Sequence, residues 1–298
     1  LSRLGFDHKT FLKYNDKIIT AFAVGFSSNG PYKDLPAYDD IIQAASGMAS
    51  YQEVYSDQPS YTSGATADKA TGLMLALSVV SSLFKRNKDN KDLEVEVPMF
   101  ETMVDFTLVE HLYGYNFLPP KDEPVYPRQS SPNRKPYETK DGFIAVLPYN
   151  DEQWLRFLKF IKKEHLIKTK KFSTLENRNK NVDELYSLLV KELKKEKTNF
   201  WIKKLREIDI PSMKINKPKD LFIDEHLKKT NFFKTYKHST EGDLMYPRLP
   251  VYFNNERDNE SKFEAPNLGN KTKEILIDLG YDKNEIENLR KEKVIFFE

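Results

Sequence analysis

The chain has 298 residues, of which 39% are hydrophobic, and its 47 basic and 45 acidic residues leave a net charge of +2. This supplies enough apolar material for a sizeable core, whereas the nearly neutral charge offers no field that would attract nucleic acid or a membrane surface. The absence of cysteine excludes disulfides, thiolate metal sites and a cysteine nucleophile, and it fits a reducing compartment such as the cytosol.

Two further site classes have little support in the sequence. The five histidines include no pair at metal-ligand spacing. No stretch of about 18 apolar residues stands out as a membrane span. The sequence therefore predicts neither a metal centre nor a membrane partner.

The first third of the chain is predicted to combine strands with helices. The run "KIITAFAVGF" at 17–26 is apolar and β-branched and ends in a Gly/Ser/Asn/Pro turn, which predicts a buried strand. A helix should begin near Asp39, and the helical spacing of apolar residues over 63–86 predicts a second, mostly buried helix. The alternation in "LEVEVPMF" at 93–100 predicts a half-exposed strand. This order is typical of half an α/β domain.

The remainder of the chain is predicted to hold a second, smaller domain. Six prolines between 118 and 136 indicate a stiff, extended linker. Beyond it we expect a strand at 141–149, a capped amphipathic helix at 151–163 and a pair of helices over 182–208. Two short helices are predicted over 271–292.

Asp68 stands directly before the most apolar part of the chain, in "SGATADKATGLMLALSVVSSLFKR". A carboxylate at a helix N-terminus is stabilised by free backbone N–H groups and by the helix dipole. Taken alone, the residue is well explained as an N-cap, because aspartate is among the commonest caps. A chemical role needs further support from the surrounding sequence.

Five motifs in order along nearly the whole chain supply that support. Together they closely resemble the class III coenzyme A transferases, the CaiB/BaiF family. The motifs are "GFSSNGPYKDLPAYDDIIQAASG", "ADKATGLMLALSVVSSLFKR", "VEVPMFETMVDF", "RKPYETKDGFIAVLPYNDEQW" and "APNLGNKTKEILIDLGYDKNEIENL".

The resemblance implies an α/β architecture in two parts. A large Rossmann-like domain would comprise residues 1–115 and 245–298, with a smaller α+β domain at 137–213 between its parts and linkers at 116–136 and 214–244. It also implies an interlocked homodimer. Family members open with a strand–helix–strand region that is not seen here, so we expect a segment of roughly 100 residues to be absent and the chain alone to be unstable.

The resemblance also implies an activity, the transfer of CoA from an acyl-CoA thioester to a free carboxylic acid. Asp68 matches the family's nucleophile, which forms an acyl-aspartyl anhydride and then an aspartyl-CoA thioester. Aspartate has a free pKa of ~3.9 and needs no separate base. A dry helix mouth and backbone N–H groups would protect the anhydride and hold the oxyanion. The CoA thioester is a substrate, and no permanently bound cofactor is expected.

Three further residues match functional positions of the family. Arg3 matches an arginine that contacts CoA, and Tyr38 and Asp39 in "PAYDD" match a tyrosine and an acidic residue that line the active site. The residues alone leave structural alternatives open: a solvated surface arginine, a packed aromatic ring and a helix cap.

Two rival functions remain open from the sequence. The first is a 2-methylacyl-CoA racemase, but these enzymes place a histidine where this chain has Tyr38, and tyrosine is a poor general base at neutral pH. The second is a non-catalytic acyl-CoA-binding remnant. Within the transferases, an oxalate or formate substrate is disfavoured, because "YPRQSSPNRKPYE" lacks the glycine-rich loop of those members.

Overall fold

The computed structural model describes residues 2–257 and 265–297 of the chain. The described residues form a mixed α/β protein that divides into two compact units, Leu1–Ile215 and Asn216–Glu298. The first unit carries strands β1 (Ile19–Val24), β2 (Leu93–Pro98), β3 (Tyr137–Thr139), β4 (Gly142–Val146) and β5 (Ser212–Lys214). Its helices are α1 (His8–Leu12), α2 (Asp39–Ala45), α3 (Met48–Tyr51), α4 (Glu53–Ser56), α5 (Thr66–Asp89), α6 (Met99–His111), α7 (Asp151–Phe160), α8 (Leu175–Lys180), α9 (Val182–Leu193) and α10 (Thr198–Glu207).

The first sheet confirms the predicted α/β start of the chain. Strands β1 and β2 pair in parallel, from Ile19 opposite Leu93 to Val24 opposite Pro98. Two parallel neighbouring strands need a crossover connection. Helix α5 lies in the chain between β1 and β2, and it packs on both strands. Helix α6 was not predicted, because the apolar end of β2 continues without a break into Met99 and Phe100, where the helix already begins.

Helix α5 differs from its prediction in burial. It was expected to be mostly buried, but its buried residues are Ala67, Thr71 and Ser82, while Leu73 and Phe84 are 75% and 74% exposed. Within the described residues it is also the one helix long and apolar enough to cross a membrane, by length and composition only. Its uncharged stretch, residues 70–84, is 15 residues long, which is shorter than the about 18 apolar residues on which the sequence prediction rested.

The second sheet and the helices around it confirm the predicted elements of the later region. Strands β3, β4 and β5 pair antiparallel in that order, and α7, α9 and α10 supply most of the core beside them. Trp154 and Trp201, 4% and 3% exposed, lie in this core. The predicted cap of α7 is Asn150, whose side chain accepts a hydrogen bond from the Gln153 N–H at 2.8 Å.

The proline-rich segment forms neither helix nor strand between Phe117 and Pro136, as predicted. Its backbone is held by side chains from two helices. The Tyr51 hydroxyl donates to the Pro124 carbonyl at 2.7 Å, and Nδ1 of His111 accepts from the Tyr126 N–H at 3.2 Å. The Tyr51 and His111 rings stack with centroids 4.0 Å apart.

His111 should make the first unit less stable in acid. Burial lowers the pKa of His111 from its usual 6.5, with a raising effect from Glu110 and a further lowering effect from Arg134. The unfolded chain therefore binds the proton more readily. The stabilisation is complete above about pH 6.5 and declines as the pH falls toward the folded-state pKa. Protonation of Nδ1 also removes the acceptor of the Tyr126 N–H.

We expect the urea concentration at the unfolding midpoint to decrease when the pH is lowered from 7.5 to 5.5. His111→Asn should reduce that decrease, because asparagine keeps an acceptor and does not titrate. His165→Asn is the control, since His165 is exposed. Urea titrations at several pH values measure both. An identical pH profile for the two variants would contradict the assignment.

The second unit consists of a hairpin and short helices. Its elements are α11 (Glu225–Lys229), β6 (Phe233–His238), β7 (Gly242–Pro247), α12 (Thr272–Asp278) and α13 (Lys283–Lys291). The last two confirm the predicted final helix pair, and Asp282 caps α13 in a reciprocal capping box with Glu285. The antiparallel β6–β7 hairpin was not predicted; it begins in the stretch 214–244, which was expected to be a linker.

Candidate active site

The N-terminus of α5 is held by a carboxylate from another helix. Asp39, the first residue of α2, accepts hydrogen bonds at Oδ1 from the backbone N–H groups of Ala67 at 2.7 Å and Asp68 at 3.0 Å. These are the second and third residues of α5, whose own N-cap position is Ala65 and makes no side-chain bond. Asp39 therefore provides the cap that helix α5 lacks in its own sequence.

A buried amide extends this arrangement. Oδ2 of Asp39 accepts from Nε2 of Gln43 at 2.6 Å, and Oε1 of Gln43 accepts from the Thr62 N–H at 2.9 Å. The Gln43 side chain is fully buried, so both ends of the amide have the partners that burial requires. Gln43 and Thr62 were missed in the sequence, although the four-residue spacing of Asp39 and Gln43 places them on one face of a helix.

Close packing positions the segment that carries Asp39. A Cβ atom at Gly25 would overlap the Cβ of Ala37, so only glycine permits this approach at the carboxyl end of β1. Behind it, a small core joins Phe26, Ile42 of α2, Ala67 of α5 and Met103 of α6. The starts of both helices are therefore fixed to one apolar cluster.

Asp68 itself is not a cap. It is the third residue of α5, its side chain is exposed, and within the described residues its carboxylate has no hydrogen bond or ion pair. The expected dry helix mouth is not present around it. Backbone N–H groups were expected to hold the oxyanion, but those of Ala67 and Asp68 are already bound to Asp39.

The structure brings together some of the four predicted site residues. Asp39 and Asp68 are in direct contact, and Tyr38 stands at the N-cap position of α2 with its ring 75% exposed, not packed. Arg3 is exposed in a short turn at Ser2–Leu4. Within residues 2–257 and 265–297, no hydrogen bond or ion pair joins Arg3 to the other three, and no group of three His, Asp or Glu residues could hold a metal ion.

Comparison with known proteins identifies the family of this chain. A model of CoA-transferase family III matches residues 1–272. The chain belongs to CoA-transferase family III. The match spans both the Asp39–Asp68 site and the antiparallel sheet with its helices.

Characterised members of this enzyme family align over almost the whole chain. The (R)-2-hydroxy-4-methylpentanoate CoA-transferase of Clostridioides difficile is 28% identical over 99% of this chain and 74% of its own length. The cinnamoyl-CoA:phenyllactate CoA-transferase of Clostridium sporogenes is 27% identical over 99% of this chain and 73% of its own length. The chain is thus a class III CoA-transferase by family.

A solved structure of the same family agrees with the fold. A CAIB/BAIF family protein from Brucella suis superposes with a TM-score of 0.71 at 23% identity, covering 94% of this chain and 72% of that protein. This likeness supports the mixed α/β architecture of the family III member described here.

Proposed function

We propose that this family III member transfers CoA from an acyl-CoA thioester to a free carboxylic acid, with Asp68 as the nucleophile. The observation that carries the proposal is the contrast between two adjacent carboxylates. Asp39 accepts three hydrogen bonds, whereas the Asp68 carboxylate is exposed and has no partner within the described residues, on a backbone that Asp39 holds in place. A nucleophile needs this combination of a free reacting group and a fixed position.

The proposed reaction has four displacements at carbonyl carbon. The Asp68 carboxylate attacks the thioester, the C–S bond breaks, and CoA leaves as its thiolate. That thiolate attacks the aspartyl carbonyl of the anhydride, releasing the donor acid and forming an aspartyl-CoA thioester. The acceptor carboxylate then attacks the aspartyl carbonyl of this thioester, which releases the CoA thiolate and forms a second anhydride between the acceptor and Asp68. Finally the thiolate attacks the acceptor's carbonyl carbon in this anhydride, which forms the product acyl-CoA and restores the Asp68 carboxylate.

The positive end of the α5 dipole lies next to Asp68, and it stabilises each anion that forms there. Because Asp39 already binds the first-turn N–H groups, the developing oxyanion needs its hydrogen bonds from other donors. The chemistry itself requires only carboxylates and the CoA thioester, so we propose no permanently bound cofactor. Arg3 and Tyr38 are proposed to contact the CoA thioester.

Trapping the covalent intermediate tests the role of Asp68. The chain is incubated with an acyl-CoA and then with hydroxylamine, which converts an activated aspartyl carbonyl into a hydroxamate. We expect the hydroxamate on Asp68 in a peptide digest read by mass spectrometry. Asp40, an exposed neighbour of Asp39, should stay unmodified. A hydroxamate on Asp39, or on neither residue, would refute the mechanism.

We propose the finer architecture on the same basis. The parallel β1–β2 pair with its crossover helix supports the Rossmann-like character of residues 1–115. That 245–298 completes this large domain and that 137–213 forms the small one are proposed from the family resemblance. Exposed apolar side chains on α5 and α6, such as Leu73 and Phe106, support an interlocked homodimer. A cytoplasmic location, with no nucleic-acid or membrane partner, is proposed from composition.

A further inference from the structure

A cavity of about 430 Å³ lies in the first unit and contains none of the four proposed site residues. It is bordered by the turn before β3, by the carboxyl end of β4 and by the start of β5. Cavities that hold small organic ligands have this order of volume. Its lining is mostly apolar, with Val146, Leu147 and Met213 among the residues that form it.

Two cations stand at this cavity without a carboxylate partner. Arg134 and Lys135 both line it and both are exposed, and within the described residues neither forms an ion pair. The lining includes no Asp or Glu. The nearest carboxylate in sequence, Glu138, is paired with Nζ of Lys194 at 2.7 Å. The charged residues of the lining are therefore both cations.

The turn that carries the two cations is anchored to helix α9. The Ser131 hydroxyl and Nδ2 of Asn133 both donate to Oδ1 of Asp183, at 2.7 and 2.9 Å. Nη1 of Arg134 donates to the Tyr55 hydroxyl at 3.1 Å, which leaves its remaining N–H donors available. The cations are thus held near the apolar lining before any ligand arrives, which reduces the entropy lost on binding.

Two hydroxyl groups at the cavity lining have no hydrogen bond among the described residues. The first belongs to Tyr137, a residue that is 4% exposed. Burial raises the pKa of Tyr137 further above its usual value, so this hydroxyl remains a donor at neutral pH. The second belongs to Ser212, and its oxygen is buried. Buried polar groups without partners are rare and point to a missing ligand or water.

We propose that this cavity binds a monocarboxylate with a branched aliphatic or aromatic body. The carboxylate lies between Arg134 and Lys135 and accepts a hydrogen bond from the Tyr137 hydroxyl, while the apolar body packs on Val146, Leu147 and Met213. A carboxylate forms its strongest hydrogen bonds with charged donors. Small hydrophilic anions should bind more weakly, because the apolar lining offers no hydrogen bonds that replace those they make with water. The site is non-covalent and does not depend on the role of Asp68.

Binding to the full chain tests the proposal without any CoA thioester, so the result is unaffected if the transferase mechanism fails. The probe is 3-phenylpropanoate, followed by saturation-transfer NMR, with an expected Kd of about 1 mM or lower. We expect its neutral amide, 3-phenylpropanamide, and acetate each to bind at least about tenfold more weakly. The amide lacks the negative charge that the two cations bind, and acetate lacks the apolar body that packs on the lining. An amide that binds as tightly as the acid would overturn the proposal.

Two variants locate the site. Lys135→Met should weaken binding by about fivefold, because it removes one charge from an exposed residue with no partner in the described structure. Ala145→Phe, on the exposed face of β4, should abolish binding by filling the cavity, and strands accept phenylalanine. Lys203→Met is the matched control, since Lys203 is exposed on α10 away from the lining. Unchanged binding in Ala145→Phe, or equal weakening in Lys203→Met, would overturn the proposal; thermal melting verifies that each variant is folded.

Discussion

Asp68→Asn should abolish CoA transfer while leaving the fold almost unchanged. Asparagine has the same shape, but its amide cannot attack a thioester or form an anhydride, so kcat should fall by at least about 10³-fold. The Asp68 side chain is exposed and has no partner in the described structure, so only its interaction with the α5 dipole is lost, at about 0.5 kcal/mol. Steady-state transfer assays and urea unfolding measure the two quantities separately.

Asp40→Asn is the matched control for this variant. Asp40 is an exposed aspartate in the first turn of α2, so its replacement removes a carboxylate of similar setting. Transfer should then stay within about twofold of the unmodified chain. If Asp68→Asn kept most of its activity, Asp68 would be an ordinary helix residue. If it lost activity and about 2 kcal/mol or more of unfolding free energy together, the role of Asp68 would be structural.

The sequence was most informative where a pattern is local. The alternation of 93–100, the apolar run of 17–26 and the capped amphipathic pattern of 151–163 each predicted an element that the structure contains. Helix α6 and the β6–β7 hairpin were missed for the opposite reason. The end of β2 continues into α6 without any break in its apolar residues, and the hairpin strands FKTYKH and GDLMYP show no regular alternation of apolar and polar residues.

In the candidate site too, the sequence identified residues but not the contact between them. Asp68 and Asp39 were both identified, but their roles depend on a contact between residues 29 positions apart, which no local pattern reports. Asp68 was expected to be a nucleophile in a dry mouth at the N-terminus of its helix, with an N-cap as the structural alternative. Instead the cap comes from Asp39, and the apolar residues that suggested a buried helix, such as Leu73 and Leu77, are exposed in this chain.

Removing the Asp39 carboxylate should destabilise the start of α5 more than any other single change at the site. Asp39→Ala takes the acceptor from two backbone N–H groups and leaves Nε2 of the fully buried Gln43 unpaired. A lost cap costs about 1 kcal/mol and a buried unpaired amide about 1–3 kcal/mol, so the free energy of unfolding should fall by about 2–4 kcal/mol. Urea unfolding measures the total.

Hydrogen exchange shows whether that loss begins at the proposed place. In Asp39→Ala, amides in a peptide covering 65–72 should exchange faster, whereas those of α9 at Val182–Leu193 should respond only to the change in global stability. Asp39→Asn should recover most of the protection, because its side-chain oxygen can still accept from the N–H groups of Ala67 and Asp68. Asp40→Ala should cost no more than about 0.5 kcal/mol. Equal protection of residues 65–72 in Asp39→Ala and Asp40→Ala would mean that Asp39 does not hold the N-terminus of α5, and the positioning of Asp68 would need another cause.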